Sequence, residues 1–249
     1  MKGTSKLKSN DDIASEWNEI AEGRFRQLIG NKDISMDNII IPMLNDMLND
    51  ANLSNVIDFG CGTGYITNKL RKKPIKFTGI DISVNCIDIA RKNFTKDSKT
   101  DFLVCSIEEL PSLKRRKYSA GICNMTLMDV ANLDDVISAI QSVLLKNSVL
   151  AITLTHPYFW PLYWNYNNTE WFDYEKEIEV SNTFKISASV SQFETTHYHR
   201  PLEMYINTLV KNNFIVEAIF EPMPNAKVKK LYTSEWKFPR FLGIKCRKK

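Results

Sequence analysis

Three glycines that alternate with other residues, Gly60, Gly62 and Gly64, form the most informative chemical feature of the sequence. They follow an apolar run that ends in Asp58 and precede a helical pattern, which predicts a strand, a tight turn and a helix N-terminus. Glycine has no Cβ and adopts positive φ freely, so the main chain of such a turn can approach a ligand closely. Since the chain has only nine glycines, this cluster favours a bound ligand over a simple bend.

The spacing of these glycines distinguishes between classes of nucleotide site. The dinucleotide fingerprint is G-x-G-x-x-G and the P-loop is G-x-x-x-x-G-K-[ST]. Neither pattern is present, because the spacing here is G-x-G-x-G and no lysine follows Gly64 at the required position. A second acid, Asp81, ends the next predicted strand, where a carboxylate can accept hydrogen bonds from both hydroxyls of a ribose.

Four motifs in chain order resemble those of class I S-adenosylmethionine-dependent methyltransferases, and they lie at residues 58–64, 79–83, 101–111 and 118–129. Residues 195–202, Asn213-Phe214 and Glu221-Pro222 are similar to the C-terminal third of the small-molecule, type 11/12 branch of that family. The similarity extends from Trp17 to the last predicted strand. It therefore covers nearly the whole chain.

The predicted elements fit an α/β fold. Strands are predicted at 55–59, 76–80, 101–105, 117–123, 148–155, 214–220 and 240–246, the last two antiparallel because no helix is predicted between them. The first predicted helix covers 12–30 and is capped by Asp11 or Asp12, and the second runs from Ser35 to near Asp50. A third is predicted over 63–72, with a stop at Pro74. Further helices are predicted after Ser83, after Asp134 and from Pro201 as the first helical residue. Alternating strands and helices indicate a parallel sheet covered on both faces.

The resemblance implies a Rossmann-like, doubly wound, seven-stranded sheet with one antiparallel strand. We expect a single methyltransferase domain over 1–249, with an N-terminal helical cover at 1–50. An insert at 156–200, with a hairpin of strands at 177–181 and 184–190, follows the fifth strand and is expected to form a cap over the substrate.

The resemblance also assigns residues to S-adenosylmethionine and its product S-adenosylhomocysteine. Asp58 and the glycine turn are expected at the amino-acid part of the cofactor, and Asp81 at the ribose hydroxyls. Ile82 and Ile107 are expected on the two faces of the adenine, with core packing as the alternative, and Glu108 either reaches the adenine amino group or caps a helix. The full expected set is Trp17, Asp58, Gly60, Cys61, Gly62, Gly64, Asp81, Ile82, Ser106, Ile107, Glu108, Asn124 and Met125.

The segment Asn124-Met125-Thr126-Leu127 narrows the acceptor class. Methyltransferases that act on exocyclic amines of nucleobases or on glutamine amide carry a Pro-Pro pair there, and this chain does not. It also has no Pro-Cys pair, which disfavours methylation at C5 of cytosine. The preferred function is methyl transfer to an O or N atom of a small-molecule acceptor, plausibly in secondary metabolism.

The three histidines of the chain, His156, His197 and His199, bracket the aromatic insert and are the candidates for a general base. Histidine suits this role because its ordinary pKa lies close to neutrality; organisation of the insert by hydrogen bonds is the alternative. Arg200 either binds an anionic substrate or pairs with an acid of the insert. The expected substrate-binding set is Asp129, Tyr158, Phe159, Trp160, Trp164 and Arg200, with a dimer contact as the alternative for the aromatic stretch.

Bulk properties exclude several partners. The net charge of +4 is modest and no basic stripe is interleaved with aromatics, so nucleic acid is not expected. The five scattered cysteines form no C-x-x-C pair, which favours free thiols in the cytoplasm without a metal. No apolar run of membrane-spanning length and no signal peptide are visible, so no membrane partner is expected.

Alternative functions remain open from the sequence alone. They are a tRNA or protein methyltransferase, an NAD-dependent oxidoreductase, which the glycine spacing disfavours, and a non-catalytic binding module. The identity of the acceptor, and whether the protein is a monomer or a homodimer, also remain open.

Overall fold

The computed structural model describes residues 2–4, 8–70, 76–95, 99–113, 117–186 and 189–249. The strands are β1 (Lys2–Thr4), β2 (Asn55–Phe59), β3 (Lys76–Asp81), β4 (Thr100–Val104), β5 (Tyr118–Asn124), β6 (Leu144–Thr155), β7 (Ile178–Ile186), β8 (Ser189–His199), β9 (Phe214–Phe220) and β10 (Phe241–Lys248). The helices are α1 (Asn10–Ile29), α2 (Ile41–Met47), α3 (Tyr65–Leu70), α4 (Val84–Phe94), α5 (Leu133–Val143), α6 (Phe159–Trp164), α7 (Leu202–Lys211) and α8 (Ala226–Lys229). A π-helical turn, Met36–Ile40, leads into α2, and a 3₁₀ turn, Leu110–Leu113, follows β4.

The main sheet of the described chain has seven strands in the order β4-β3-β2-β5-β6-β10-β9. Only β10 runs antiparallel to its neighbours in this sheet, β6 and β9. The predicted Rossmann-like sheet with one reversed strand is therefore confirmed. Because β2, β3, β4, β5 and β6 are mutually parallel, their carboxyl ends meet at one edge, where open α/β sheets bind ligands.

The core consists of two apolar layers on opposite faces of this sheet. Along β2, Ile57 and Phe59 face the layer that contains α5 and α7, whereas Val56 faces the layer that contains α2 and α3. Successive side chains of a strand alternate between faces, so a run that is apolar throughout is buried on both sides. This burial fixes the register of β2 and with it the position of the glycine turn that follows.

Three predicted features need correction, and a fourth lies outside the described residues. Helix α1 begins earlier than predicted, because Ser9 is the N-cap and forms a capping box with Asp12 at the third position. Pro201 is the N-cap of α7 with extended backbone, one position before the predicted first helical residue. The connection between β9 and β10 contains α8, which Asn225 caps, where no helix was predicted. The predicted end of the 63–72 helix and its stop at Pro74 lie outside the described residues.

The insert hairpin also differs from its prediction. Its second strand, β8, runs to His199, whereas the pattern placed it at 184–190. Residues 195–199 are all buried, including those with polar side chains. A half-exposed strand is recognised from alternating apolar and polar residues, and this segment lacks that alternation. With β1, the hairpin forms a three-stranded antiparallel sheet in the order β1-β7-β8.

Arg200 attaches this hairpin to the main sheet. Its side chain is fully buried, and its guanidinium donates to the carbonyl oxygens of Leu127 at 2.9 Å, Val130 at 2.6 Å and Ala131 at 3.0 Å. The same guanidinium pairs with Glu177 of the insert. The sequence left substrate binding and structural pairing open for Arg200, and the geometry is that of structural pairing.

Replacing Arg200 by Met is expected to lower the free energy of unfolding by about 3–5 kcal/mol, because it leaves Glu177 and three buried carbonyl oxygens without their donor. Urea denaturation followed by circular dichroism measures the change. Lys211→Met is the control, since its ion pair with Asp134 is exposed and exposed ion pairs contribute little to stability. Equal losses for the two variants would contradict the anchoring role.

Candidate functional site

Two connected cavities lie at the carboxyl ends of the parallel strands. The turn cavity, of about 160 Å³, is lined by the glycine turn and by the ends of β3, β4 and β5. The aromatic cavity, of about 670 Å³, is lined by side chains of the insert, of the segment 33–40 and of the residues just before and at the start of β10. Five residues line both cavities, and they are Trp17, Arg24, Met36, Met125 and Asp129.

The three glycines of the turn are needed for different structural reasons. All three have positive φ, but a Cβ on Gly60 would lie 2.3 Å from Oγ1 of Thr126, and one on Gly64 would lie 3.0 Å from Ala90 and Phe102. A Cβ on Gly62 would meet nothing within 4 Å. Gly60 and Gly64 therefore permit close packing, whereas Gly62 leaves its backbone open toward the turn cavity.

Asp81 ends β3 and fixes the conformation of the turn. Its Oδ2 accepts a hydrogen bond from the backbone N–H of Gly62 at 2.8 Å, and its Oδ1 accepts one from Ser83 N–H at 2.9 Å. Burial raises the pKa of this carboxyl, and the backbone donors oppose the rise. A carboxylate has about four lone-pair sites, so Asp81 retains acceptors for two ligand hydroxyls in the turn cavity.

Two buried polar atoms beside the turn have no hydrogen-bond partner among the described residues: Oδ1 of Asp58 and Oγ1 of Thr63. The other oxygen of Asp58 accepts from Thr67 at 2.8 Å, and burial raises the pKa of Asp58 to about 7. Buried polar groups normally have partners, so this pair fits a polar ligand that completes the site. Thr63 lines the turn cavity but was not among the predicted site residues, because it occupies an x position of the G-x-G-x-G pattern.

Most of the residues expected at the cofactor come together in the turn cavity. Asp58 and Gly64 lie behind the turn and do not line it, whereas the others do: Trp17, Gly60, Cys61, Gly62, Asp81, Ile82, Ser106, Ile107, Glu108, Asn124 and Met125. Met125 has positive φ, which is uncommon outside glycine, and this turn places it between the two cavities. The shared position of these residues follows from the parallel strands that precede them.

Helix α1 lies beside both cavities and is held from two sides by polar contacts. On one side, Asn18 Oδ1 accepts from Ser83 Oγ at 2.7 Å and from the N–H of Asn85 at 3.1 Å. On the other side, the carboxylate of Glu16 accepts from the backbone N–H and the hydroxyl of Thr196, both at 2.9 Å. Trp17 lies between these attachment points and lines both cavities.

The structure separates the three histidines. Only His197 lines a cavity, the aromatic one, and its Nε2 lies 3.4 Å from the hydroxyl of Tyr166. His156 pairs with Glu221 at 2.9 Å, and His199 contacts the carbonyl oxygen of Tyr174 at 3.0 Å; neither lines either cavity. Burial lowers the pKa of all three, for His197 to about 3, so each imidazole is neutral at physiological pH.

The residues expected at the substrate also divide. Asp129, Trp160 and Trp164 line the aromatic cavity, whereas Tyr158 and Phe159 do not. Tyr158 is 55% exposed and packs edge-on against Phe159, which in turn stacks on Phe238. Burial and the charge of Glu16 raise the pKa of Asp129 well above its usual value.

Several lining residues were missed from the sequence. Tyr163 lies in the same aromatic stretch as Trp160 and Trp164, so its type and position were a usable signal. Arg24, Asp33 and Arg240 come from segments without a motif, and only the folded chain brings them together. Arg24 pairs with Asp33 at 2.7 Å on the cavity wall.

Two features are absent from the described residues. No group of three or more His, Cys, Asp or Glu side chains there is arranged to hold a metal ion. No helix there has the length and hydropathy needed to cross a bilayer.

Comparison with known proteins gives consistent matches. A family model described as a methyltransferase domain matches residues 50–204. The malonyl-[acyl-carrier protein] O-methyltransferase of Acetivibrio thermocellus is 32% identical over 134 residues, which cover 53% of this chain and 46% of that protein. The ubiquinone biosynthesis O-methyltransferase of Rickettsia bellii is 31% identical over 122 residues, 49% of each chain. The chain thus spans about half the length of these two curated relatives.

Solved structures share the fold. A Listeria monocytogenes protein described as an S-adenosylmethionine-dependent methyltransferase has a TM-score of 0.63 and 23% identity, covering 83% of this chain and 96% of that one. The magnesium protoporphyrin IX methyltransferase of Synechocystis, solved with bound S-adenosylhomocysteine, has a TM-score of 0.64 and 16% identity, covering 96% and 99%.

Replacing Gly62 by Ala is expected to weaken binding of S-adenosylhomocysteine at least about tenfold, because the new Cβ enters the space that a ligand needs. The strained positive φ costs about 1–2 kcal/mol, so the protein still folds. Isothermal titration calorimetry measures the affinity. Gly60→Ala is the matched comparison and should instead unfold the turn, because its Cβ collides with Thr126. Unchanged affinity in folded Gly62→Ala would contradict this assignment.

Asp58→Asn is expected to flatten the dependence of stability on pH. The folded-state pKa of Asp58, about 7, exceeds its usual value of 3.8, so between these values only the folded state holds the proton. The free energy of unfolding therefore falls as pH rises, by up to about 1.4 kcal/mol per pH unit. Urea denaturation at several pH values in this window measures the slope. Asp134→Asn is the control, because the pKa of Asp134 is lowered below 3.8 and its slope lies at more acidic pH. An identical slope in wild type and Asp58→Asn would contradict the assignment.

Proposed function

The chain belongs to the methyltransferase domain family and has the fold of S-adenosylmethionine-dependent methyltransferases, and from this membership we propose that it methylates an O or N atom of a small-molecule acceptor. The observation that supports this most strongly is the pair of joined cavities. The turn cavity has the open glycine backbone and Asp81 for a nucleoside, and the aromatic cavity has the size and apolar walls for an organic acceptor. Relatives named as O-methyltransferases support an oxygen acceptor.

The residues of the turn cavity fit the cofactor. Asp81 would hold the ribose hydroxyls, Gly62 would let the backbone approach, and Ile82 and Ile107 would enclose the adenine. Thr63, on the wall of the turn cavity, would face the polar amino-acid part, and Asp58 would support the turn from behind. S-adenosylmethionine, when bound, supplies a methyl group already activated as a sulfonium.

The protein then has three tasks: alignment of the acceptor, exclusion of water and removal of the acceptor's proton. Met125 and Asp129 line both cavities, so they would lie beside the reacting atoms. Trp160 and Trp164, with ring centroids 5.1 Å apart, supply an apolar wall that orients a flat acceptor and excludes water.

We assign proton handling to His197, because it is the histidine that lines the acceptor cavity. Its neutral imidazole accepts a hydrogen bond from the O–H or N–H group of the acceptor. The acceptor atom becomes strongly acidic when it is methylated, so a neutral imidazole whose pKa is about 3 would still accept its proton and pass it on to water. His156 and His199 organise the insert through Glu221 and the Tyr174 carbonyl.

The domain organisation proposed for this function is one methyltransferase domain over 1–249. Residues 1–50 form a cover through α1, and residues 156–200 form the acceptor cap. The burial of all five free cysteines supports a reducing, cytoplasmic setting.

Purified protein incubated with radiolabelled S-adenosylmethionine and a panel of aromatic O–H and N–H acceptors is expected to transfer label. His197→Ala should lower kcat about a hundredfold with little change in affinity for S-adenosylhomocysteine, because general-base contributions are of this size. His199→Ala is the matched control and should change stability more than kcat. Full kcat in His197→Ala would refute its role, and stabilisation by NAD but not by S-adenosylhomocysteine would refute the proposed function.

A further inference from the structure

Arg240 is a buried cation on the wall of the aromatic cavity. It directly precedes β10 and is 4% exposed, and it lines the aromatic cavity but not the turn cavity. Three aromatic rings surround the guanidinium, with distances from its carbon to the ring centroids of 4.0 Å for Tyr163, 4.4 Å for Trp236 and 5.6 Å for Tyr232. Such rings stabilise a cation through their electron-rich faces but carry no net negative charge.

The hydrogen bonds of Arg240 leave part of the guanidinium for a ligand. Its Nη2 donates to the backbone oxygen and Oγ of Ser234, at 3.3 and 2.9 Å, and to the backbone oxygen of Glu235 at 2.8 Å. Nη1 and Nε donate to no protein atom in the described part of the chain. A guanidinium presents five N–H donors in a planar fork, so its remaining edge can receive an oxyanion.

No carboxylate of the described residues forms an ion pair with Arg240. Burial lowers the pKa of Arg240, and none of the groups that oppose this fall is an Asp or Glu carboxylate. A buried charge without a counter-ion is costly, and such a charge on a cavity wall is best explained by a ligand that supplies the opposite sign.

The other charged groups of the cavity do not neutralise Arg240. Asp33 is paired with Arg24 at 2.7 Å. Asp129 lies at the junction with the turn cavity and forms no ion pair with Arg240. The described wall of the aromatic cavity therefore carries an excess positive charge in the part that does not border the turn cavity.

We infer that the acceptor of this enzyme carries a carboxylate, which Arg240 binds while the atom to be methylated lies at the junction near Met125 and Asp129. This inference rests on the proposed function and adds the chemical class of its substrate. One guanidinium matches one negative charge, which favours a carboxylate over a doubly charged phosphate. The aromatic side chains that line the same cavity, including Trp160 and Trp164, accommodate a flat apolar body.

Isothermal titration calorimetry with a matched pair of probes tests this inference. The probes are 3-phenylpropionate and its neutral amide, 3-phenylpropanamide, added to protein saturated with S-adenosylhomocysteine. The carboxylate is expected to bind at least about tenfold more tightly, because a charge-assisted bidentate hydrogen bond is stronger than a neutral one. Phenyl phosphate is the third probe, and tighter binding of phenyl phosphate than of the carboxylate would overturn the choice of a carboxylate.

Variants assign the preference to Arg240. Arg240→Met should bind the two phenylpropanoid probes equally, and Arg240→Lys should keep a reduced preference because it retains the charge but not the fork. Arg247→Met is the matched control: it removes the same charge near the other end of β10, where Arg247 pairs with Asp50 and Glu217, and it should keep the full preference.

The inference is wrong if wild-type protein binds the carboxylate and the amide equally, or if folded Arg240→Met keeps the wild-type ratio. If Arg240→Met does not fold, Arg240→Lys provides the test. An unchanged ratio of carboxylate to amide affinity in that variant would show that the guanidinium fork does not bind the carboxylate. Affinity for S-adenosylhomocysteine is measured in the same samples. If wild-type protein does not bind S-adenosylhomocysteine, the proposed function is refuted. The ratio of carboxylate to amide affinity is also measured without S-adenosylhomocysteine, and that ratio reports on Arg240 alone.

Discussion

The arrangement of this molecule depends on one buried guanidinium, that of Arg200. It bonds to three carbonyl oxygens of the loop after β5 and to Glu177 of the insert, so it joins segments about 70 residues apart in sequence. The loop contributes Met128 and Asp129 to the aromatic cavity, and the backbone N–H of Tyr198 on β8 donates to the carbonyl oxygen of Met128 at 2.6 Å. The shape of the aromatic cavity therefore depends on a buried charge that three backbone oxygens and one acid satisfy.

The central strands of the main sheet were predictable from the sequence because they are largely apolar runs that are buried on both faces, and each ends at a turn signal. Asn55–Phe59 has the bounds that its pattern predicted, and Asp81 and the glycine turn follow directly from such strand ends. The positions of these residues are determined locally, by the strand that precedes each of them. That is why a pattern of a few residues was sufficient to bring most of the turn cavity together.

The aromatic cavity was less predictable, because its walls come from distant segments. Arg240 and Asp33 have no neighbouring motif, and their chemistry depends on what lies opposite them in space. The roles of the histidines were also only partly predictable from the sequence. The sequence alone could not distinguish His197 from His199, which are separated by one residue on β8. In the structure their surroundings differ, because His197 lines the aromatic cavity and His199 contacts the carbonyl oxygen of Tyr174. Burial also moves their pKa below the range that made them attractive candidates.

The shared wall between the cavities has a thermodynamic consequence. Trp17 and Met125 belong to both ligand environments, and α1, which carries Trp17, is attached to α4 on one side and to β8 on the other. A ligand that orders this wall from one side changes the free energy with which the other ligand binds. Such linkage is reciprocal, so the effect of the first ligand on the affinity of the second equals the effect of the second on the first. The order in which cofactor and acceptor enter, and in which products leave, is thereby coupled through a few side chains.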